Sequence, residues 1–222
     1  MTLAQLRQLV SGWVDDKDNG YFTTSDLNSY INQAAKEVQK IILQSFEDQW
    51  VKCVETYTVV NQQEYNLPSD FKKLNRIELV LSGNSITNES RQRLYKITRN
   101  QQDAVVGYNT GTPAVYFFQN NKIIIQPAPD SAKVLRLDYT YTIADMTSDS
   151  DVPDIPDEYQ EFIAVLAAIT CLTRDTRDAS TYIEKRKYYE QQLKRDAEQR
   201  NIDEPRTVVQ TQEDDGGAGW WF

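Results

Sequence analysis

Phe162-Ile-Ala-Val-Leu-Ala-Ala-Ile-Thr-Cys-Leu172 decides the fold. The stretch is apolar nearly all round, and a helix with that composition must be enclosed on every side. Just before it, Ile155-Pro-Asp-Glu-Tyr-Gln160 supplies a helix start, with Pro156 near the first turn and Asp157 and Glu158 suited to its positive end. After it, Ala179 to about Gln199 reads as a heavily charged helix that carries Tyr182, Ile183, Tyr188, Tyr189 and Leu193; this is the solvent-facing partner. Two further helices occupy the first 48 residues. Leu3, Leu6, Leu9, Val10, Trp13 and Val14 recur at helical spacing, and Asp15-Asp-Lys-Asp-Asn-Gly20 interrupts them. Thr24 or Ser25 then caps a second helix with a stripe from Leu27 through Ile31, Ala35, Val38 and Ile42 to Phe46.

Between these pairs, from Gln49 to about Ile143, the period becomes two and the residues turn β-branched and aromatic, as in Trp50-Val-Lys-Cys-Val-Glu-Thr-Tyr-Thr-Val-Val60 and Lys133-Val-Leu-Arg-Leu-Asp-Tyr-Thr-Tyr141. Asn120-Asn121 joins two strand-like runs as a hairpin, Pro127 and Pro129 end the second run, and Arg99 to Val106 reads as a short helix within the β region. The expected fold is therefore α+β: a four-helix bundle of two N-terminal and two C-terminal helices, with an inserted antiparallel β-rich lobe and an extended C-terminal tail. By residue number, 1–48 and 150–200 form the helical domain, 49–149 the β-rich insert and 201–222 the C-terminal arm.

Composition removes several chemistries. The 222 residues include no His, so imidazole-dependent triads, histidine general bases and His-ligated zinc are excluded. Two cysteines, Cys53 and Cys171, are too few for a disulfide framework, and both are expected to be buried in a reducing compartment. No apolar run approaches the ~20 residues of a membrane span, and the first ten residues lack a cleavable leader pattern. The acidic loop Asp15 to Gly20 imitates a calcium loop, with Asp26 at the twelfth position, but Lys17 places a cation where a ligand oxygen belongs. Arg91, Arg93, Lys96 and Arg99 cluster around Tyr95, and Lys185-Arg-Lys187 alternates with Glu184 and Glu190, with Glu190 four residues from Lys194; both read as solvated faces. A net charge of −9 argues against general nucleic-acid binding. No catalytic residue, metal site or cofactor is expected.

Two segments stand out. Asp138 to Thr173 carries eight acids and no Lys or Arg; on the inside of a ring, Asp149, Asp151, Asp154 and Asp157 would line a channel that repels DNA and lets it slide. The chain ends in Glu213-Asp-Asp-Gly-Gly-Ala-Gly-Trp-Trp-Phe222, an acidic, glycine-rich stretch closing on three large aromatics. Trp220, Trp221 and Phe222 read as an anchor for a partner or a neighbouring subunit.

Tyr65-Asn-Leu-Pro-Ser-Asp-Phe71, Gly111-Thr-Pro-Ala-Val-Tyr116, Lys122-Ile-Ile-Ile-Gln-Pro-Ala-Pro129, Leu137-Asp-Tyr-Thr-Tyr141 and Ile155-Pro-Asp-Glu-Tyr159, in that order and preceded by Tyr30-Ile-Asn-Gln-Ala-Ala35, resemble the head-to-tail connector (adaptor) proteins of tailed bacteriophages over roughly Leu3 to Gln199. The resemblance implies a non-enzymatic virion protein, made in the host cytoplasm and placed at the head-tail junction. It implies a homo-oligomeric ring, typically of twelve copies, that binds the portal protein and carries a tail or nozzle protein and fibres. DNA is then met only in non-specific passage during genome ejection, and no membrane is touched. A C-terminal extension reaching the portal would here be Thr207 to Phe222. Two other readings compete: a virion-associated carboxylate glycosidase acting on cell-wall sugar, with Asp157 and Glu158 or the pairs Asp154/Asp157 and Glu158/Glu161 as its acids, and a soluble two-lobed binding module.

Overall fold

The computed structural model describes residues 1–16, 20–82, 90–101 and 110–200. Helix α1 spans Leu3–Trp13 and α2 spans Thr24–Ser45. The cap of α2 is Thr23, one residue ahead of the expected pair, because Asp26 can then close a capping box with it. Ten strands follow, and α3 (Gln160–Arg174) and α4 (Ser180–Arg200) complete the described chain. As its composition requires, α3 is central. It packs against α1, α2 and α4, and Phe162, Ile163, Ala164, Val165, Ala167 and Ala168 are wholly buried.

Strands β1 (Val51–Tyr57), β3 (Phe71–Ser82), β4 (Ser90–Arg93) and β10 (Val134–Tyr141) form one antiparallel sheet in the order β1-β10-β3-β4. A second sheet has the order β2-β8-β7-β5, from β2 (Glu64–Asn66), β5 (Tyr95–Lys96), β7 (Val115–Gln119) and β8 (Lys122–Gln126). Strands β6 (Thr110–Gly111) and β9 (Ala128–Pro129) make a short parallel pair. The two large sheets enclose a core of Tyr65, Ile77, Leu79, Ile123, Ile125, Leu135, Leu137 and Tyr139, with alternate residues such as Arg136 and Asp138 turned outward. The β7–β8 hairpin turns at Asn120, whose φ of 54° suits asparagine in a tight turn.

This architecture corrects the expected bundle with an inserted lobe. The chain is an α+β fold of four described α-helices and large antiparallel sheets, with a β-rich core in its own right. The helices do not enclose α3 by themselves. Trp50, Ile143, Met146 and Ile155, from the ends of the sheet and the connector, complete the apolar cluster around α3, and Tyr141 packs against both cores. Buried Gln39 of α2 fastens the joint: its Nε2 donates to the Tyr141 carbonyl at 2.7 Å.

Smaller expectations also change. Cys171 is buried, but Cys53 is exposed, because β1 is an edge strand whose every residue is exposed. Pro156 does sit near a helix start, where it caps a 3-10 turn, Asp157–Tyr159, that runs into α3. Of the expected helix from Arg99 to Val106, Arg99–Gln101 forms a 3-10 turn and residues 102–106 lie outside the described residues. Among the described residues, no helix is long and apolar enough to cross a membrane.

Candidate assembly interface

The acidic connector is tied down at each of its four singled-out acids. Asp149 meets Arg7 of α1 at 2.6 Å, and its carbonyl accepts the Ala4 N–H at 3.1 Å. Asp151 accepts the N–H groups of Thr147 and Ser148, both at 2.8 Å, which lowers its pKa below the ordinary carboxylate value; its carbonyl accepts the Leu3 N–H. Asp154 receives the Tyr141 hydroxyl at 2.7 Å, and its carbonyl receives the Trp50 indole N–H at 2.7 Å. Asp157 receives Gln160 Nε2 at 2.8 Å. These acids therefore pin the connector to α1, to the sheet and to α3, while Asp149, Asp154 and Asp157 stay exposed.

Beside them lies a polar cleft of about 600 Å³ between α2, the start of β1 and the connector. Its charges face each other: Lys36 meets Asp145 at 2.6 Å, and Lys52 meets Asp70 at 2.8 Å while lying 3.9 Å above the Tyr141 ring. Asp70 is lowered by the Lys52 bond, and Tyr141 is pushed up to about 12 by burial and by Asp154. Such a cleft holds its own ion pairs rather than a reacting group. Of the pairs weighed as glycosidase acids, Asp154 turns to Tyr141, Asp157 to Gln160 and Glu161 to Lys185 at 3.8 Å, so no two are held together over a shared space. No group of three or more His, Cys, Asp or Glu that could hold a metal occurs among the described residues.

Of the loop read against calcium, residues 15, 16 and 20 are described. Asp16 accepts the Phe22 N–H at 2.8 Å and the Tyr21 N–H at 3.1 Å, and Asp26 belongs to the α2 cap and to Arg174; Lys17 lies outside the described residues. On α4, Glu190 pairs with Arg186 at 2.8 Å instead of with Lys194, since Arg186 also reaches Glu37 of α2 at 3.3 Å and is held on that side. Lys40 and Lys194, by contrast, line a groove of about 690 Å³ between α2 and α4 and make no ion pair among the described residues. Trp220, Trp221 and Phe222 lie outside the described residues.

Sequence reasoning missed a row of charges across the first sheet. There Glu55, Arg136, Glu78 and Arg93 stand side by side across β1, β10, β3 and β4. Arg136 Nε donates to Glu55 at 2.7 Å, and Glu78, almost wholly buried, pairs with Arg76 and Arg91. The signal was present in the alternation of β1 and β10, but the register that aligns the charges is set by chain pairing that no local pattern shows.

Most charged groups of the connector and of the cleft beside it are committed to one another. The model of the SU10 adaptor protein family matches residues 1–215, and the chain belongs to that family. It is thus a phage structural adaptor, a viral component that contacts other head and tail proteins of the virion. No curated protein matches the chain with significance.

Proposed function

We propose that this adaptor forms a ring of twelve copies at the head-tail junction, between the portal protein and the tail or nozzle protein, around a channel through which DNA passes. The family match over residues 1–215 carries the reading. Division of labour follows the chain: residues 1–48 with 150–200, residues 49–149 and residues 201–222 meet different neighbours, fibres among them. The exposed carboxylates of Asp149, Asp154 and Asp157, with Asp151 beside them, face the channel and repel the DNA backbone. Trp220, Trp221 and Phe222 anchor the arm on the portal; a glycine-rich acidic run before them supplies reach, and tryptophan is a favoured anchor at protein interfaces. The protein is made in the host cytoplasm and acts in the virion during genome ejection.

The test mixes purified portal rings with the full-length chain or with a chain ending at Gly219, and weighs the complexes by native mass spectrometry. Twelve full-length copies per portal, with the truncated chain unbound, is the expected result. Equal binding of both chains removes the anchor role from the aromatic end; no binding by either removes the portal as the partner.

A further inference from the structure

Strand β1 is the edge of the first sheet and pairs with β10 over its 7 residues without a bulge; the residues on either side of it, 46–50 and 58–63, are described. The bonds from Thr58 N–H to the Lys133 carbonyl (2.8 Å) and from Tyr141 N–H to the Trp50 carbonyl (3.0 Å) set which β1 residues face β10. The N–H and C=O groups of Val51, Cys53, Glu55 and Tyr57 consequently point away from β10, with no partner among the described residues. The edge is also apolar. Val51, Val54, Tyr57, Val59 and Val60 are exposed, Tyr57 at 70%. The charges that would guard such an edge are engaged within the same copy, Lys52 by Asp70 at 2.8 Å and Glu55 by Arg136 at 2.7 Å. A regular apolar edge of this length is a template for one more strand.

The chain carries a segment of the right kind. Thr207-Val-Val-Gln-Thr-Gln212 is uncharged and β-branched at four of its six positions, with Pro205 before it and Gly216 after it, the composition of a strand; the acidic and glycine-rich residues that follow are poor strand formers. The segment is also within reach. Near the end of α4, Gln199 lines a cleft of about 530 Å³ together with Phe46, and Tyr159 of the same cleft donates to Asp196 of α4 at 2.7 Å. Phe46 stands five residues before Val51, a span of at most about 18 Å, and the bond from Gln49 N–H to the Phe46 carbonyl (3.4 Å) folds that span into a turn. The seven residues from Gln199 to Arg206 cover up to about 25 Å. A segment entering at the Val51 end runs beside β1 in the same direction. Its alternation then selects a face. Lys52, Val54 and Thr56 lie opposite Tyr139, Leu137 and Leu135 of the core between the sheets, so they share the inner face. With Thr207, Val209 and Thr211 on that face, every inward residue is β-branched, whereas the other choice turns Arg206, Gln210 and Gln212 inward.

We propose that residues 207–212 add a parallel strand to β1 of their own copy, with Val209 beside Val54. The pairing lies within one copy and depends on neither the ring nor the portal. Its test follows the Cys53, Glu55 and Tyr57 amides by NMR-detected hydrogen exchange in the full-length chain, in a chain ending at Gly219 and in a chain ending at Glu204. The expected result is slow exchange in the first two and exchange faster by about tenfold or more in the third, with the Val54 and Thr56 amides, which face β10, unchanged. Equal rates in all three chains overturn the proposal. The chain ending at Gly219 separates this pairing from portal anchoring, since it lacks Trp220, Trp221 and Phe222 but keeps 207–212. Register and copy are read from Val54→Cys/Val209→Cys in a Cys53→Ser background. Neighbours on adjacent strands lie about 4.8 Å apart, within disulfide reach. Oxidation of the purified chain is expected to bridge that pair within one chain and to leave Val54→Cys/Val208→Cys unbridged, because successive side chains on a strand point to opposite faces. Bridges in both variants or in neither overturn the pairing, and bridges that join two chains overturn its assignment to the same copy.

Discussion

Gln39 is the residue on which the joint between helices and sheet turns. It is fully buried, its Nε2 donates to the Tyr141 carbonyl at 2.7 Å, and its Oε1 accepts the Ile143 N–H at 3.4 Å. Gln39→Ala leaves that carbonyl buried without its donor and opens a cavity, so unfolding in urea is expected to show a loss of about 2–3 kcal/mol. Tyr141, at the same joint, gives a pH signature. Its hydroxyl is held at about 12 by burial and by Asp154, above the value of 10.0 for a free tyrosine. A folded-state pKa above the unfolded one means stability fully present below pH 10 and lost as pH climbs through about 12. Denaturation midpoints measured across that window are expected to fall less steeply in Tyr141→Phe. The carboxylate of Asp151 behaves oppositely: its pKa is lowered, so its contribution is present at neutral pH and disappears on acidification below the ordinary carboxylate range.

At the level of elements, α3 is the post around which the other helices pack, and α4 is its outer cover. Ile163→Ala, at a position with no exposure, is expected to cost about 2–5 kcal/mol in denaturant unfolding, whereas Ile183→Ala on the open side of α4 should stay within about 0.5 kcal/mol. Equal losses at the two sites would mean that α4 is buried by something else. That α3 is enclosed and α4 faces solvent was legible in the sequence, since an all-round apolar helix and a heavily charged one have different compositions. The hairpin at Asn120 and the strand ends at Pro127 were legible for the same reason: their chemistry is local. The joint was not. Trp50 follows a helix and precedes a strand, and nothing nearby in the chain says that its indole N–H reaches Asp154, more than a hundred residues away. Without that information the helices look self-sufficient and the β region looks like an insert. Exposure of Cys53 escaped notice for a related reason, because alternation identifies a strand but does not say whether it lies at an edge.

Across the whole molecule the charge is divided as the fold is. Residues 49–141 carry 11 Lys and Arg against 8 Asp and Glu, a net of +3, while residues 1–48 and 142–200 together carry −8. A uniformly acidic protein of this net charge would repel its own copies from every side. A divided one lets the sheet half of one copy sit against an acidic surface. This attraction acts between exposed groups, so it is screened: the Debye length falls from about 30 Å at 0.01 M salt to about 3 Å at 1 M. Sedimentation of the full-length chain at high concentration is therefore expected to give a lower average mass in 1 M NaCl than in 0.05 M NaCl. An average mass that rises with salt would mean that apolar surface joins the copies. The exposed side chains of Val51, Val54 and Tyr57 on β1, rather than the charges, would then be the part of the edge that matters.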